Sequence, residues 1–311
     1  MSAEIWAIGG GKGGTGKSFL ASGLAMYLAG IGKKVTLIDA DLGGANLHSI
    51  IKMEKPAATL SDFFERKVSL ESISQETAIP NLRLVIGDIR TLSPDTIKYG
   101  QRVKLYRHIR NMTDDYVVID LGAGSGLNTL DTFLLADKMI TITVPEITSI
   151  DNLYHFLKKA LFRKLNVFLA DHHLKDAAKN TWRTRDENDI RTIKHLVDHF
   201  KTISPEVCAM LDSEFSQLNI YVVVNQVRHT PHNHIGPSVK SVIMKYFGVP
   251  AHYAGSISYD NSLWKYMDSG EPYFGLTSTA TIMEEVGNIA WNLMENKQVK
   301  LLDISTEARY E

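Results

Sequence analysis

At 311 residues, 44% hydrophobic and 22% charged with a net charge of −1, the chain has the make-up of a folded globular protein. That composition excludes a disordered segment and a strongly polyanion-binding one. No apolar run approaches the roughly twenty residues a membrane span requires. Met1-Ser2-Ala3-Glu4 leads straight into apolar residues, so no signal peptide is expected. The lone Cys208 permits no internal disulfide and suits a reducing, cytoplasmic compartment.

Glu4-Ile5-Trp6-Ala7-Ile8 reads as a buried strand. It runs into Gly9-Gly10-Gly11-Lys12-Gly13-Gly14-Thr15-Gly16-Lys17-Ser18 ahead of a helical pattern. Strand, glycine-rich turn and helix N-terminus follow in the order a phosphate-binding loop requires. Successive backbone N–H groups in such a turn wrap a triphosphate, and the helix dipole favours its charge. The G-x-x-x-x-G-K-S spacing makes Gly11, Gly13, Gly14, Thr15, Gly16, Lys17, Ser18 and Phe19 candidate nucleotide contacts. It puts Lys17 on the β- and γ-phosphates and the Ser18 hydroxyl on Mg²⁺. The helix carries Leu20, Leu24, Tyr27, Leu28 and Ile31 at helical spacing and ends around Gly30 and Gly32.

Val35–Asp39, Leu82–Gly87, Tyr116–Asp120, Met139–Val144, Asn219–Val224 and about Tyr253–Ile257 are short apolar runs that read as strands. Helices are predicted over Thr59–Arg66 and Leu70–Ser74. Another is predicted from Ser93, where Ser caps and Pro94 suits the first turn, to about Met112. Continuous apolar strands alternating with helices imply an α/β fold, a mostly parallel sheet covered on both faces. Ligands of such sheets bind outside the carboxyl ends of the strands, where the loop, Asp39, Asp120 and Asn225 all fall. Residues 158–217 exceed what a simple crossover needs, and read as a basic helical insertion or lid. The expected organisation is one domain over 1–297, with that insertion at about 160–217, and a C-terminal tail over 298–311. The stripe Ile282, Val286, Ile289, Ala290 and Leu293 is expected to pack on the body, since Glu284, Glu285 and Glu295 opposite it suit anionic lipid poorly. His172-His173 and the His229, His232, His234 group lack the spacing and partners of a metal site.

Lys12 carries a family resemblance. Gly11-Lys12-Gly13-Gly14-Thr15-Gly16-Lys17-Ser18 resembles the deviant Walker A signature of MinD, ParA, the flagellar regulator FlhG, Mrp-type carriers and the nitrogenase iron protein. These are P-loop proteins of the SIMIBI type. The resemblance covers 4–157 and 219–275, and implies an ATPase in which Lys12 reaches across a homodimer to the partner's nucleotide. Ile38-Asp39-Ala40-Asp41-Leu42-Gly43-Gly44-Ala45-Asn46 resembles the family's D-x-D-x-x-x-x-N segment. That implies a water-positioning role for Asp41, a metal-shell or structural role for Asp39, and a part in switching for Asn46. Val117-Val118-Ile119-Asp120-Leu121-Gly122-Ala123-Gly124 resembles its Walker B segment, which implies that Asp120 holds the Mg²⁺ shell. Thr143-Val144-Pro145-Glu146 resembles an N-P-E segment with Val144 in place of Asn. Asn225 matches the adenine-contacting asparagine, and Val249-Pro250 resembles the segment flanking the base.

Ile38–Leu47 and Gly255–Asp260 look most like MinD and FlhG. The resemblance therefore implies ATP and Mg²⁺ as cofactors and Lys12, Lys17 and Asp41 as the catalytic residues. It also implies an ATP-dependent homodimer that recruits an unidentified protein partner, turns over slowly without it, and works in the cytoplasm or peripherally at a membrane or nucleoid. The alternative is a ParA-like DNA-partitioning ATPase that uses the basic excess in 158–201 on DNA. Metallocluster carriers need interface cysteines, which Cys208 alone does not supply, so no iron–sulfur cluster is expected.

Overall fold

Two apolar runs that end in a carboxylate lie near the centre of the sheet. The computed structural model describes residues 2–41, 44, 46–53, 58–65, 68–87, 99–174, 180–181, 183–228, 232, 234–261 and 280–296. Its eight strands are β1 (Glu4–Gly9), β2 (Val35–Asp39), β3 (Gln75–Glu76), β4 (Leu82–Val85), β5 (Tyr116–Asp120), β6 (Lys138–Thr143), β7 (Ile220–Val227) and β8 (Ala251–Ser258). They form one sheet in the order β3-β4-β2-β5-β1-β6-β7-β8. Every pairing is parallel except that of β3, a two-residue antiparallel edge too short to announce itself in the sequence.

The central strands are buried on both faces, which is why they read as unbroken apolar runs rather than alternating ones. Side chains still alternate. Ile5 and Ala7 point into one core, while Trp6 and Ile8 point into the other. The second core is closed by α1 (Lys17–Gly30), the single-turn α2 (Leu47–Ile50) and α11 (Ala280–Met294). Ile282, Val286, Ile289, Ala290 and Leu293 of α11 are all buried there, so this stripe packs on the body. On its acidic side, Glu285 accepts hydrogen bonds from the amide and hydroxyl of Ser258 and so ties α11 to the end of β8.

The first core lies under α3 (Leu60–Glu65), α4 (Leu70–Ile73), α5 (Tyr99–Arg110), α6 (Leu127–Leu135), α7 (Ile147–Asp171), α8 (Ile193–Lys201), α9 (Pro205–Ser216) and α10 (Ile235–Phe247). Helix α7 runs unbroken through residue 160. The extra residues between β6 and β7 then continue as α8 and α9. Leu196, Phe200, Leu211 and Phe215 join the main core. The Lys194 side chain meets Gly248, just before β8 begins. The helices α8 and α9 therefore sit toward the amino ends of β7 and β8, away from the phosphate loop, and not as a lid over it. The predicted start of α5 at Ser93 lies outside the described residues. No helix among the described residues is long and apolar enough to cross a membrane.

Candidate nucleotide-binding site

Strand register sets the candidate residues at one level. Ile8 lies opposite Asp120, and Asp120 lies opposite Asp39, so carboxylates from β2 and β5 stand beside the loop that leaves β1. The loop is pressed against α7: a Cβ on Gly11 would lie 2.0 Å from the carbonyl oxygen of Asn152. Only glycine permits that approach. Gly11→Ala is expected to displace the loop or the helix. It should cost about 1–3 kcal/mol in urea denaturation and weaken nucleotide binding. An unchanged midpoint and affinity would mean that the contact yields freely.

Lys17 is buried, and its ammonium donates to the carbonyl oxygen of Lys12 at 3.0 Å. Burial lowers its pKa, while Asp120 and Asp41 act to raise it. Burial pushes Asp120 the other way, to about 7. A hydrogen bond from Ser18 and the charge of Lys17 oppose that rise, and Asp39 and Asp41 add to it. One oxygen of Asp120, Oδ1, is buried without a hydrogen-bond partner. A buried, partnerless carboxylate oxygen beside the Ser18 hydroxyl is the donor set that a hydrated Mg²⁺ takes, so the residues present fit that ion. Asp41 completes the acidic cluster: its Oδ1 lies 2.9 Å from where a Cβ on Gly122 would stand, against the turn that follows β5.

Asp39 takes the structural part of its expected role. Its Oδ1 accepts from the amide of Asp41 (3.1 Å), and its Oδ2 accepts from those of Asn46 (3.0 Å) and Leu47 (3.1 Å). Both oxygens are committed to the backbone, so the structural half of the expectation fits. Asp39 anchors the loop that carries Asp41 and the start of α2. Burial raises its pKa to about 6 despite these amides.

Lys12 stands at the rim. Its amine donates to Glu146 Oε2 at 2.9 Å and to Thr148 Oγ1 at 3.4 Å, both within the same chain. Glu146 precedes α7 on a turn fixed by Ser149, whose hydroxyl lies 2.9 Å from that of Thr143 and accepts from the amide of Val144. Phe19 is half-buried in the first turn of α1, and Thr15 is buried in the loop.

Asn225 touches the loop itself. Its Nδ2 donates to the carbonyl oxygen of Thr15 at 2.9 Å, and its Oδ1 accepts from the amide of Gln226. The β7–β8 ladder slips between Val224 and Val227, and Gln226 takes φ 58°. This bulge also aims Gln226 at the loop, where its Nε2 donates to the carbonyl oxygen of Gly14 at 3.4 Å. Gln226 was not legible in the sequence, because only the bulge turns two consecutive side chains to one side. Gly16 shows how closely Asn225 fits: at φ 94°, its Cβ position lies 2.2 Å from Asn225 Nδ2.

Pro250 is a correction. It precedes β8, its carbonyl accepts from the amide of Ile220 at the start of β7, and β7 and β8 run parallel. Pro250 therefore lies at the amino edge of the sheet, roughly eight residues at about 3.3 Å each from the edge that carries the loop. The residues of β8 at the loop's level are Ser256 to Ser258.

Taken together, a parallel sheet, a glycine loop at its carboxyl edge, a buried lysine and an aspartate pair define a P-loop nucleotide-binding protein. The family described as the CobQ/CobB/MinD/ParA nucleotide binding domain matches residues 6–273. The chain belongs to this family. It is 31% identical over 216 residues to the septum site-determining protein MinD of Thermotoga maritima, covering 66% of this chain and 73% of that protein. It is 31% identical over 157 residues to the antiactivator FleN of Pseudomonas aeruginosa, covering 50% of this chain and 55% of FleN. The chain thus spans little more than half the length of some curated relatives it matches. Among solved structures, MinD of Pyrococcus horikoshii complexed with Mg-ADP superposes with a TM-score of 0.59 at 20% identity, over 94% of this chain and 96% of that one. The MinC:MinD complex of Aquifex aeolicus gives a TM-score of 0.63 at 22% identity, over 96% and 98%. At such identities, the likeness is one of fold.

Proposed function

We propose that the chain is an ATP-driven switch of the MinD and FleN kind, which pairs with a second copy of itself when ATP is bound and then recruits a protein partner. The observation that carries this reading is the convergence of Lys17, Ser18, Asp41 and Asp120 on one loop, with Lys12 at its rim. Loop amides and Lys17 bind and orient the phosphates. Ser18 and Asp120 would hold Mg²⁺, which when bound supplies neutralising charge to the phosphate oxygens. Asp41 orients the attacking water, and Asn225 is the candidate contact for adenine. Relatives support this reading, since one neighbour carries Mg-ADP and another is bound to MinC.

In the isolated subunit, Lys12 is held by Glu146. This pair is half exposed, at 39% and 58% for the two side chains. Such pairs contribute roughly 0–1 kcal/mol. Closure of a second subunit can therefore draw Lys12 off Glu146 and onto the partner's phosphates, which carry more charge than one carboxylate.

Lys12→Ala is expected to leave ADP affinity within about twofold and to abolish the ATP-dependent doubling of mass in light scattering. Wild-type protein that stays monomeric with ATP while hydrolysing it at full rate would remove the switch from consideration.

A further inference from the structure

Helices α8 and α9 leave an open cavity of about 500 Å³ against the turn between α10 and β8. That volume is of the size that small-molecule sites occupy. Lys194, Val197, Asp198 and Lys201 line it from α8, at the i, i+3, i+4 and i+7 spacing of one helix face. Asp212 and Phe215 of α9 contribute a second wall, and the stretch from Phe247 to Pro250 a third. Val197, Phe215, Phe247 and Val249 are buried, so the floor is apolar and partly aromatic. The cavity lies at the amino edge of the sheet, with Pro250, and shares no residue with the phosphate loop.

The lining carries two lysines and two aspartates, and they are not equivalent. Lys201 donates to Asp212 at 2.6 Å, and that hydrogen bond holds the Asp212 carboxyl below its ordinary value. Asp212 also accepts from the Cys208 thiol at 3.5 Å. Lys201 and Asp212 therefore satisfy each other. Asp198 is left with a distant contact to the same ammonium, at 3.8 Å. Lys194 makes no ion pair among the described residues. Its aliphatic stem lies along Gly248, where an added Cβ would stand 3.0 Å from Lys194 Cγ and 3.5 Å from Cδ. What remains on the rim is one cation and one anion, both exposed and one helical turn apart. Their Cβ atoms are then about 5–6 Å from each other, beside an apolar floor.

We propose that this cavity is a second ligand site, for a free α-amino acid with an apolar, aromatic side chain. The ligand's carboxylate meets Lys194 and its ammonium meets Asp198, while its side chain covers Phe215, Phe247 and Val249. An α-amino acid fits because its two charges sit on one carbon, as close together as a single helical turn requires. A simple carboxylate would leave Asp198 uncompensated, and a simple amine would do the same to Lys194. A peptide offers only one of the two charges at either end. The ring adds offset or edge-on contact with two phenylalanines. The site goes beyond the nucleotide reading, since it would hold its ligand whether or not the loop holds ATP.

The test is isothermal titration calorimetry on the full chain without nucleotide. The probes are L-phenylalanine, 3-phenylpropionate, which lacks the ammonium, and 2-phenylethylamine, which lacks the carboxylate. L-Phenylalanine should bind with a Kd of about 1 mM or tighter, at least about tenfold more tightly than either trimmed compound. Lys194→Met keeps the stem and removes the charge. It should weaken L-phenylalanine about tenfold while leaving 2-phenylethylamine unchanged. Asp198→Asn should weaken L-phenylalanine similarly while leaving 3-phenylpropionate unchanged. A merely structural role would move all three probes together. Both side chains are exposed and distant from the loop, so ADP affinity should stay the same in each variant. The proposal is overturned if L-phenylalanine does not bind at about 10 mM, a concentration well above the expected Kd. It is equally overturned if a trimmed compound matches L-phenylalanine, or if either variant leaves its affinity unchanged or weakens every probe alike.

Discussion

Asp41→Ala is expected to lower ATP turnover by about a hundredfold or more while leaving ATP binding in place. The carboxylate lies against Gly122, at the turn leaving β5, and close enough to Lys17 and Asp120 to shift both. It is anchored through its own amide by Asp39. Alanine removes the acceptor without disturbing that anchor, so the water loses its orientation while the cradle remains. Single-turnover hydrolysis measures the step directly, and light scattering should show the ATP-bound dimer persisting for correspondingly longer. Undiminished turnover in the variant would transfer the water-positioning role to another residue.

The second large effect concerns stability, and its sign is unusual for a functional residue. Asp120 and Asp39 have folded pKa values of about 7 and about 6 against an ordinary value of 3.8, both raised chiefly by burial. The folded state therefore binds more protons than the unfolded one between those limits, and stability falls as pH rises through the window from about 4 to 7. Asp120→Asn retains an acceptor for Ser18 and removes the buried charge. At pH 8 without nucleotide it should be more stable than wild type by on the order of 3 kcal/mol. That gain should shrink toward pH 5.5, where the native carboxyl is largely protonated. Mg-ATP should stabilise the wild type at pH 8 and the variant much less. Urea denaturation at the two pH values checks both parts. A variant less stable than wild type at pH 8 would mean that the carboxylate is already compensated within the chain.

The carboxyl edge of the sheet was readable because buried parallel strands are unbroken apolar runs, so Val35–Asp39 and Tyr116–Asp120 announce both the strand and the acid at its tip. The glycine loop was readable because its spacing is set by the phosphates it serves. Readability failed where placement depends on a neighbour. The resemblance of Val249-Pro250 to a base-flanking segment says nothing of which end of the strand it occupies; parallel pairing of Ala251 with Ile220 sends Pro250 to the far edge. Asp39 and Asp41 are alike as residue types, and only the amides of Asn46 and Leu47, folded back over β2, assign one to the backbone. The helical character of 193–216 was visible, but not its location, since an amphipathic pattern says that a face is buried and not against what. The single-turn α2 and the two-residue β3 are shorter than any periodicity can register.

The bulge in β7 has a consequence for how an anion is received. A peptide plane carries its C=O and the following N–H on opposite sides. Asn225 and Gln226 draw the carbonyl oxygens of Thr15 and Gly14 toward β7. The N–H groups of Gly16 and Thr15, belonging to the same two planes, are thereby turned the other way. Side chains from a strand more than two hundred positions away thus set the aim of these dipoles before any ligand arrives. Little orientational freedom is left to lose on binding, so the aim of this loop depends on a distant amide pair as well as on the glycines themselves.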